Sequence, residues 1–294
     1  MTHKVEEFRG LAGIESYAEL VRVLAEILNL PAQQVSERLF FEAMTSGWNV
    51  ARSAQEFDVT PHLFNEQMQR LYENTDAFVF ELVRSHLTRY CGVIDQRVAE
   101  AVTVRFPASL STQVLLLGDG IGSDSIRFAQ LGYTVTYFEF PGPSSRFAKW
   151  RFDRLGLVKS ITMVPEPAAI PSGKFDVVVC REVLEHVPQP GGIIRDIGRY
   201  LKPGGIAVIT ESFARVEAGF TTHLRENKQF EDKTGILFAE AGFRLEQLYP
   251  QDRPWVFRKL PGASGSTLLP NARYLTRKTR QKAKWFLEAV ASHL

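Results

Sequence analysis

The sequence predicts an α/β fold. Its expected form is a doubly wound, mostly parallel seven-stranded sheet with an antiparallel edge pair, plus a helical N-terminal region and a C-terminal helix. Three observations carry this. Between residues 111 and 261, short β-branched or aliphatic runs alternate with helical stretches, the pattern of βαβ units. Residues 1–110 read instead as helices separated by caps, with few strand-like alternations. After residue 260 a Pro-Gly-Ala-Ser-Gly-Ser stretch reads as linker, and Asn271–Leu294 as a terminal helix. The organisation is therefore 1–110, 111–261 and 262–294.

Each element has a local reason. Ile14, Tyr17, Ala18, Val21, Ala25 and Leu28 follow the three-and-four spacing of one helical face. Leu30-Pro31 stops that helix, and Pro31 opens the next as a first-turn proline. Thr60-Pro61 repeats the signal with Thr60 as N-cap, and Thr75-Asp76 starts a further helix through Phe78, Leu82 and Leu87. The expected strands are Val114–Leu117, Thr134–Phe140, Ile161–Val164, Asp176–Cys180, Ile206–Glu211, Phe243–Tyr249 and Trp255–Leu260. Helices are expected over Asp124–Leu131, Ser144–Leu155 and Ile193–Leu201.

Composition bounds the function. With 294 residues, 45% hydrophobic and 23% charged, the chain has the make-up of a soluble globular protein. Two cysteines are too few for a disulfide framework or a multi-cysteine zinc site, and the six histidines show no ligand spacing, so no metal is expected. The apolar runs are far shorter than the ~20 residues needed to span a bilayer, and the charged start lacks a secretory signal. A cytoplasmic location without a membrane partner is the expectation. The net charge of +2 conceals a gradient of −5 over 1–110, +2 over 111–261 and +5 over 262–294. Only the last segment raises nucleic acid as a partner.

The most informative run is Val114-Leu-Leu-Leu-Gly118-Asp119-Gly120-Ile-Gly122, a buried strand entering a glycine-rich turn and then a helix. Glycines let the backbone turn sharply and approach a ligand where a Cβ would intrude. Glu139 follows 21 residues after Gly118 at the end of the next strand, where a carboxylate takes hydrogen bonds from ribose hydroxyls. A dinucleotide fingerprint would place glycine at position 123, which is serine; the third glycine comes one place early. The spacing suits a nucleoside without a pyrophosphate and demotes NAD.

These residues resemble the class I S-adenosylmethionine-dependent methyltransferases, particularly the broad small-molecule group, over roughly residues 110–250. Gly118-Asp119-Gly120-Ile121-Gly122 is similar to the motif that holds the methionine part of the cofactor. Glu139 and the adjacent Phe140 match the ribose end, and Glu166-Pro167 the acidic position near the adenine. Phe175 through Cys180, Arg181 and Glu185-His186 resemble the fourth strand and the segment after it. Leu201-Lys-Pro-Gly-Gly205 resembles the turn into the fifth strand, and Ala241-Gly-Phe243 the entry to the sixth. The resemblance implies a Rossmann-like sheet and S-adenosylmethionine as cofactor. Two departures stand out: Leu116 occupies a position often acidic, and Asp119 one often cysteine, adding a carboxylate near the sulfonium or amino group.

Methyl transfer from a sulfonium is an in-line displacement, so alignment supplies much of the catalysis, and a base is needed only if the acceptor must lose a proton. The resemblance places His186 beside the methyl group, and His223 follows the fifth strand where it could line the acceptor pocket; these are the catalytic candidates. Phe40, Phe41, Trp48, Phe57, Phe64, Phe78 and Phe80 are expected to be mostly core, with some lining an apolar pocket. The leading function is methyl transfer to oxygen, nitrogen or carbon of a small molecule, in a protein that could dimerise through its helical N-terminal region. The alternatives are a non-catalytic scaffold with a retained fold, and an RNA methyltransferase using the basic tail. Cys180-Arg-Glu-Val replaces the Pro-Pro-aromatic motif of enzymes that methylate nucleobase amines, so nucleic acid is not the expected acceptor.

Overall fold

The structure, a computed structural model, describes residues 10–249 and 253–261. The expected C-terminal helix and the basic cluster from Arg273 to Lys284 lie outside the described residues.

Among the described residues, six helices precede the sheet: α1 (Tyr17–Leu28), α2 (Ala32–Met44), α3 (Trp48–Glu56), α4 (Glu66–Asn74), α5 (Ala77–His86) and α6 (Arg89–Thr103). Then follow β1 (Gln113–Leu117), α7 (Ser123–Gln130), β2 (Thr134–Phe138), α8 (Pro143–Arg154), β3 (Ile161–Val164) and β4 (Phe175–Arg181). The chain continues through α9 (Pro190–Tyr200), β5 (Leu201–Thr210), α10 (Thr234–Glu240), β6 (Phe243–Leu248) and β7 (Trp255–Lys259). The seven strands form one sheet in the order β3-β2-β1-β4-β5-β7-β6. All pairings among β1 to β5 are parallel, and β7 is antiparallel to both β5 and β6. This is the Rossmann-like architecture expected, with β7 inserted between β5 and the edge strand β6.

The parallel strands are apolar runs because both faces are covered. Val114, Leu116, Val135, Tyr137, Val177 and Val179 pack on one face with Ile94 and Val98 of α6 and Phe152 of α8. Leu115, Leu117, Phe138, Val178 and Cys180 pack on the other with Ile194 and Ile197 of α9. The N-terminal helices have their own core of Leu20, Val23, Leu24, Val35, Leu39, Val79, Phe80 and Val83, joined to the glycine turn through Ile121 and Phe147.

Three local expectations change. Helix α1 buries Leu20, Val23 and Leu24, while Tyr17 and Ala18 are exposed. Apolar residues occur on two adjoining stripes of this helix, and packing against α2 and α8 selects the second. Pro31 occupies the N-cap position of α2 rather than its first turn. Asn65, not Thr60, caps α4 by accepting from Met68 N; the segment at Thr60 instead forms a loop in which His62 N donates to the Thr221 carbonyl. Of the seven aromatics, Phe40, Phe41 and Phe64 are 59%, 42% and 38% exposed, so they are neither core nor lining of a closed pocket.

Candidate active site

Strand register sets the site. Leu117 pairs with Phe138 on one side and Cys180 on the other, so the carboxyl ends of β1, β2 and β4 lie level. Gly118, Glu139 and Arg181 therefore emerge on one edge, at the point where the strand order reverses and open α/β sheets bind ligands.

The glycine turn is held from several directions. Tyr137 Oη donates to the Gly120 carbonyl at 2.6 Å, and Gly120 N donates to Glu139 Oε2 at 2.8 Å. Buried Arg151 donates to the carbonyls of Ile121 and Ala12 and to Ser123 Oγ, pinning the N-terminal segment to the turn. Gly118 and Gly122 have φ of +74° and +77°, a left-handed conformation that a side chain strains. A Cβ on Gly118 would also lie 2.5 Å from Val183 Cγ2, and one on Gly122 2.6 Å from the Phe152 ring.

Asp119, expected to add a carboxylate near the sulfonium or amino group, turns that carboxylate towards α7. Its carboxylate accepts from Asp124 N at 3.2 Å and Ser125 N at 2.7 Å, satisfying the first turn of α7. Burial and then the Asp124 charge push it up to about 7. Leu116 is packed in the sheet core.

Glu139 lies just beyond β2, with its carboxylate also accepting from Phe140 N at 2.9 Å; burial raises its pKa. Phe140 is exposed beside it, and Glu166 and Pro167 are exposed on the turn after β3. The Cys180 thiol points into the apolar core, leaving only its backbone to face a ligand. Arg181 is held by Asp95 and Asp124 at 2.8 and 2.6 Å. The arrangement fits a nucleoside-type ligand with an amino-acid end: a turn no side chain can enter, a carboxylate at β2 and a guanidinium beside the turn.

A family model described as a methyltransferase domain matches residues 84–252. The chain belongs to that family. It is 39% identical over 99 residues to a ubiquinone biosynthesis O-methyltransferase of Xanthomonas oryzae pv. oryzae, covering 32% of this chain and 40% of that protein. It is 36% identical over 95 residues to the corresponding protein of Bordetella avium, covering 32% of this chain and 39% of that one. The chain thus spans about two fifths of the length of these curated relatives. A solved S-adenosylmethionine-dependent methyltransferase from Aquifex aeolicus superposes with a TM-score of 0.44 at 17% identity, covering 54% of this chain and 87% of that one. No helix among the described residues is long and apolar enough to cross a membrane.

In this methyltransferase domain, the segment after β4 forms the floor of the other half of the site. Glu182 adopts a left-handed backbone, φ +49°, which turns the chain so that Val183 packs on Gly118. Glu185 and His186 follow on a short 3-10 turn. Glu185, His186 and His223 present ligand atoms all within 4.8 Å of one another. Glu185 is 0% exposed, and neither carboxylate oxygen has a hydrogen-bond partner; His223 Nδ1 is equally buried and unpaired. Burial, then the charge of Glu182, raises Glu185 well above the carboxylate range. Burial lowers His186, and burial with His186 alongside takes His223 down to about 3. His186 Nδ1 lies 3.2 Å from the Thr222 carbonyl and 3.1 Å from the Tyr72 hydroxyl, which anchor the ring on that side.

Two residues of this wall escaped sequence reasoning. Tyr72 of α4 places its hydroxyl 3.1 Å from His186 Nδ1 and stacks on Phe78. Glu81 of α5 is half-buried, one residue before Leu82, whose Cδ1 would meet a Cβ on Gly120 at 2.5 Å. Burial and the Glu42 charge push Glu81 up to about 7. Helical spacing of Phe78, Glu81 and Leu82 was the available signal, but core residues share it. The carboxylate–imidazole set was hidden because 36 residues, including all of β5, separate His186 from His223. A second group, His86, Cys91 and Asp95, also has cation-binding spacing, but both Asp95 oxygens already accept from arginines.

Proposed function

We propose that the chain transfers a methyl group from S-adenosylmethionine to a hydroxyl oxygen of a small molecule. The cofactor supplies the sulfonium-bound methyl and its own leaving group. Residues 118–122 and Glu139 are the groups that would hold it, with the acceptor between the glycine turn and the α4–α5 wall. The observation that carries the reading is the buried, unpartnered Glu185 with His186 and His223 next to the cofactor edge. Such a set can orient a hydroxyl and take its proton. It is also a fitting donor set for a divalent cation, two imidazoles and one carboxylate, and a bound cation would lower the acceptor's pKa. The oxygen-methylating relatives support oxygen over nitrogen or carbon. The reading also takes residues 1–110 as an acceptor lid or a dimer contact, in a cytoplasmic enzyme.

The test has two parts. Calorimetry with S-adenosylhomocysteine should show binding to the wild type that Glu139→Ala abolishes. A phenol and catechol panel followed by mass spectrometry should show methylation that His223→Ala removes while cofactor binding persists. Metal analysis of the purified protein and of Glu185→Gln separates a cation from a proton-accepting imidazole. Wild-type protein that fails to bind the demethylated cofactor overturns the reading.

A further inference from the structure

One charged cluster beside the glycine turn is not used by the chemistry above. Arg181, the last residue of β4, spends a single nitrogen on two carboxylates: Nη1 donates to Asp95 Oδ1 of α6 at 2.8 Å and to Asp124 Oδ2 of α7 at 2.6 Å. Nη2 has only a long contact, 4.0 Å, to the Cys91 sulfur, and no hydrogen bond engages Nε among the described residues. The Nε–Nη2 edge is the side of a guanidinium that takes a carboxylate in two parallel bonds. Two aspartates, themselves 7% and 5% exposed in their side chains, fix the opposite corner, so this edge is oriented in advance. The Arg181 side chain is still 14% exposed, so the free edge is not sealed into the core.

The charge balance is informative. Arg127 also pairs with Asp95 at 2.9 Å, so two guanidinia face two carboxylates and the cluster is neutral overall. Burial keeps two of the neighbours uncharged at neutral pH: His86 is pushed down to about 4 and the Cys91 thiol up to about 12. A neutral cluster with one unused fork suits a zwitterion, whose carboxylate it can bind without leaving a surplus charge.

We propose that Arg181 binds the carboxylate of the cofactor's amino-acid end, with Asp95 and Asp124 as positioning residues that hold its free edge towards the crevice. The inference rests on the methyltransferase reading and adds to it how the amino-acid end is held in a chain whose first strand carries Leu116 and whose Asp119 is turned inward. Asp95 lies in α6, ahead of the first strand, so the clamp ties that helix to the cofactor edge.

The experiment compares S-adenosylmethionine with its decarboxylated analogue by calorimetry, on the full chain and on Arg181→Lys and Asp95→Asn. Wild type should bind the carboxylate-bearing ligand about ten- to a hundredfold more tightly, the worth of one charge-assisted bidentate contact. Arg181→Lys should erase most of that difference while leaving the decarboxylated ligand's affinity unchanged. Asp95→Asn should narrow it less. Equal affinity of wild type for the two ligands overturns the inference, and that comparison does not depend on any variant folding. Variants that lose both ligands alike also overturn it, since that marks a structural role. Wild type that binds neither ligand overturns the methyltransferase reading and the inference with it.

Discussion

The two walls of the crevice are made in different ways. The sheet wall, residues 117–139 with the end of β4, works through backbone: glycines in left-handed conformations, a hydrogen-bonded turn and strands buried on both faces. The helical wall works through side chains: Tyr72 and Glu81 come from the consecutive helices α4 and α5, and His223 joins them from the distant loop after β5. Backbone geometry admits almost no substitution, whereas a side chain on a preformed helix can be changed without unfolding its support. The walls should therefore fail differently when broken.

The largest effect belongs to the sheet wall. Gly122→Ala would force a side chain into a left-handed conformation and to within 2.6 Å of an aromatic ring and 3.1 Å of the Ala148 methyl. We expect a loss of about 3 kcal/mol in chemical denaturation, with S-adenosylhomocysteine binding abolished, because strain and overpacking add. A variant with wild-type stability and affinity would show that this wall is not fixed by its backbone.

The joint between the walls comes next. Arg151 is 1% exposed and its guanidinium bonds Ala12, Ile121 and Ser123. Arg151→Met keeps much of the apolar bulk but leaves two carbonyls without these donors, so about 2 kcal/mol should be lost. Protease cutting near Leu11–Ile14 should quicken before the sheet is attacked. Uniform cutting across the chain would mean the walls unfold as one unit.

Tyr72→Phe probes the helical wall alone. Removing the hydroxyl beside His186 should lower stability by about 1 kcal/mol and reduce acceptor turnover, with cofactor affinity unchanged. A parallel fall in cofactor affinity would show that the walls share this contact.

The same division explains what could be read in advance. The strands, their order of appearance and the glycine turn are legible because each depends on neighbours within a few residues: Val114 to Leu117 is apolar because it is buried on both faces, and Gly118 is glycine because Val183 lies against it. Pairing of β7 between β5 and β6 was only partly legible, since sequence marks two edge strands but not which one joins the sheet. The site's helical wall was hidden for a different reason. Nothing local at Tyr72 or His223 records that their partner is His186, and the Asp95–Arg181 pair joins residues 86 positions apart. Asp119 looked like a ligand carboxylate because sequence cannot show that the N–H groups of Asp124 and Ser125 claim it.

Glu81 offers the finest test, because it separates the helical wall by charge rather than by shape. Its pKa is raised from 4.5 to about 7 by burial first and then by Glu42, and its own charge reaches Tyr72. The folded state therefore binds this proton more tightly than the unfolded chain. Glu81 is without cost below pH 4.5, where both states are protonated. As pH rises through the interval from 4.5 to about 7, the unfolded chain ionises first and stability falls; above about 7 the penalty is constant. Solvent reaching the half-buried carboxylate reduces the full linkage value to about 1–2 kcal/mol. Glu81→Gln removes the ionisation and keeps the shape. Its melting temperature should match that of the wild type near pH 4.5 and exceed it increasingly up to about pH 7, with cofactor affinity unaltered throughout. A gap independent of pH would place the effect in packing, and would remove Glu81 from the electrostatics of the acceptor side.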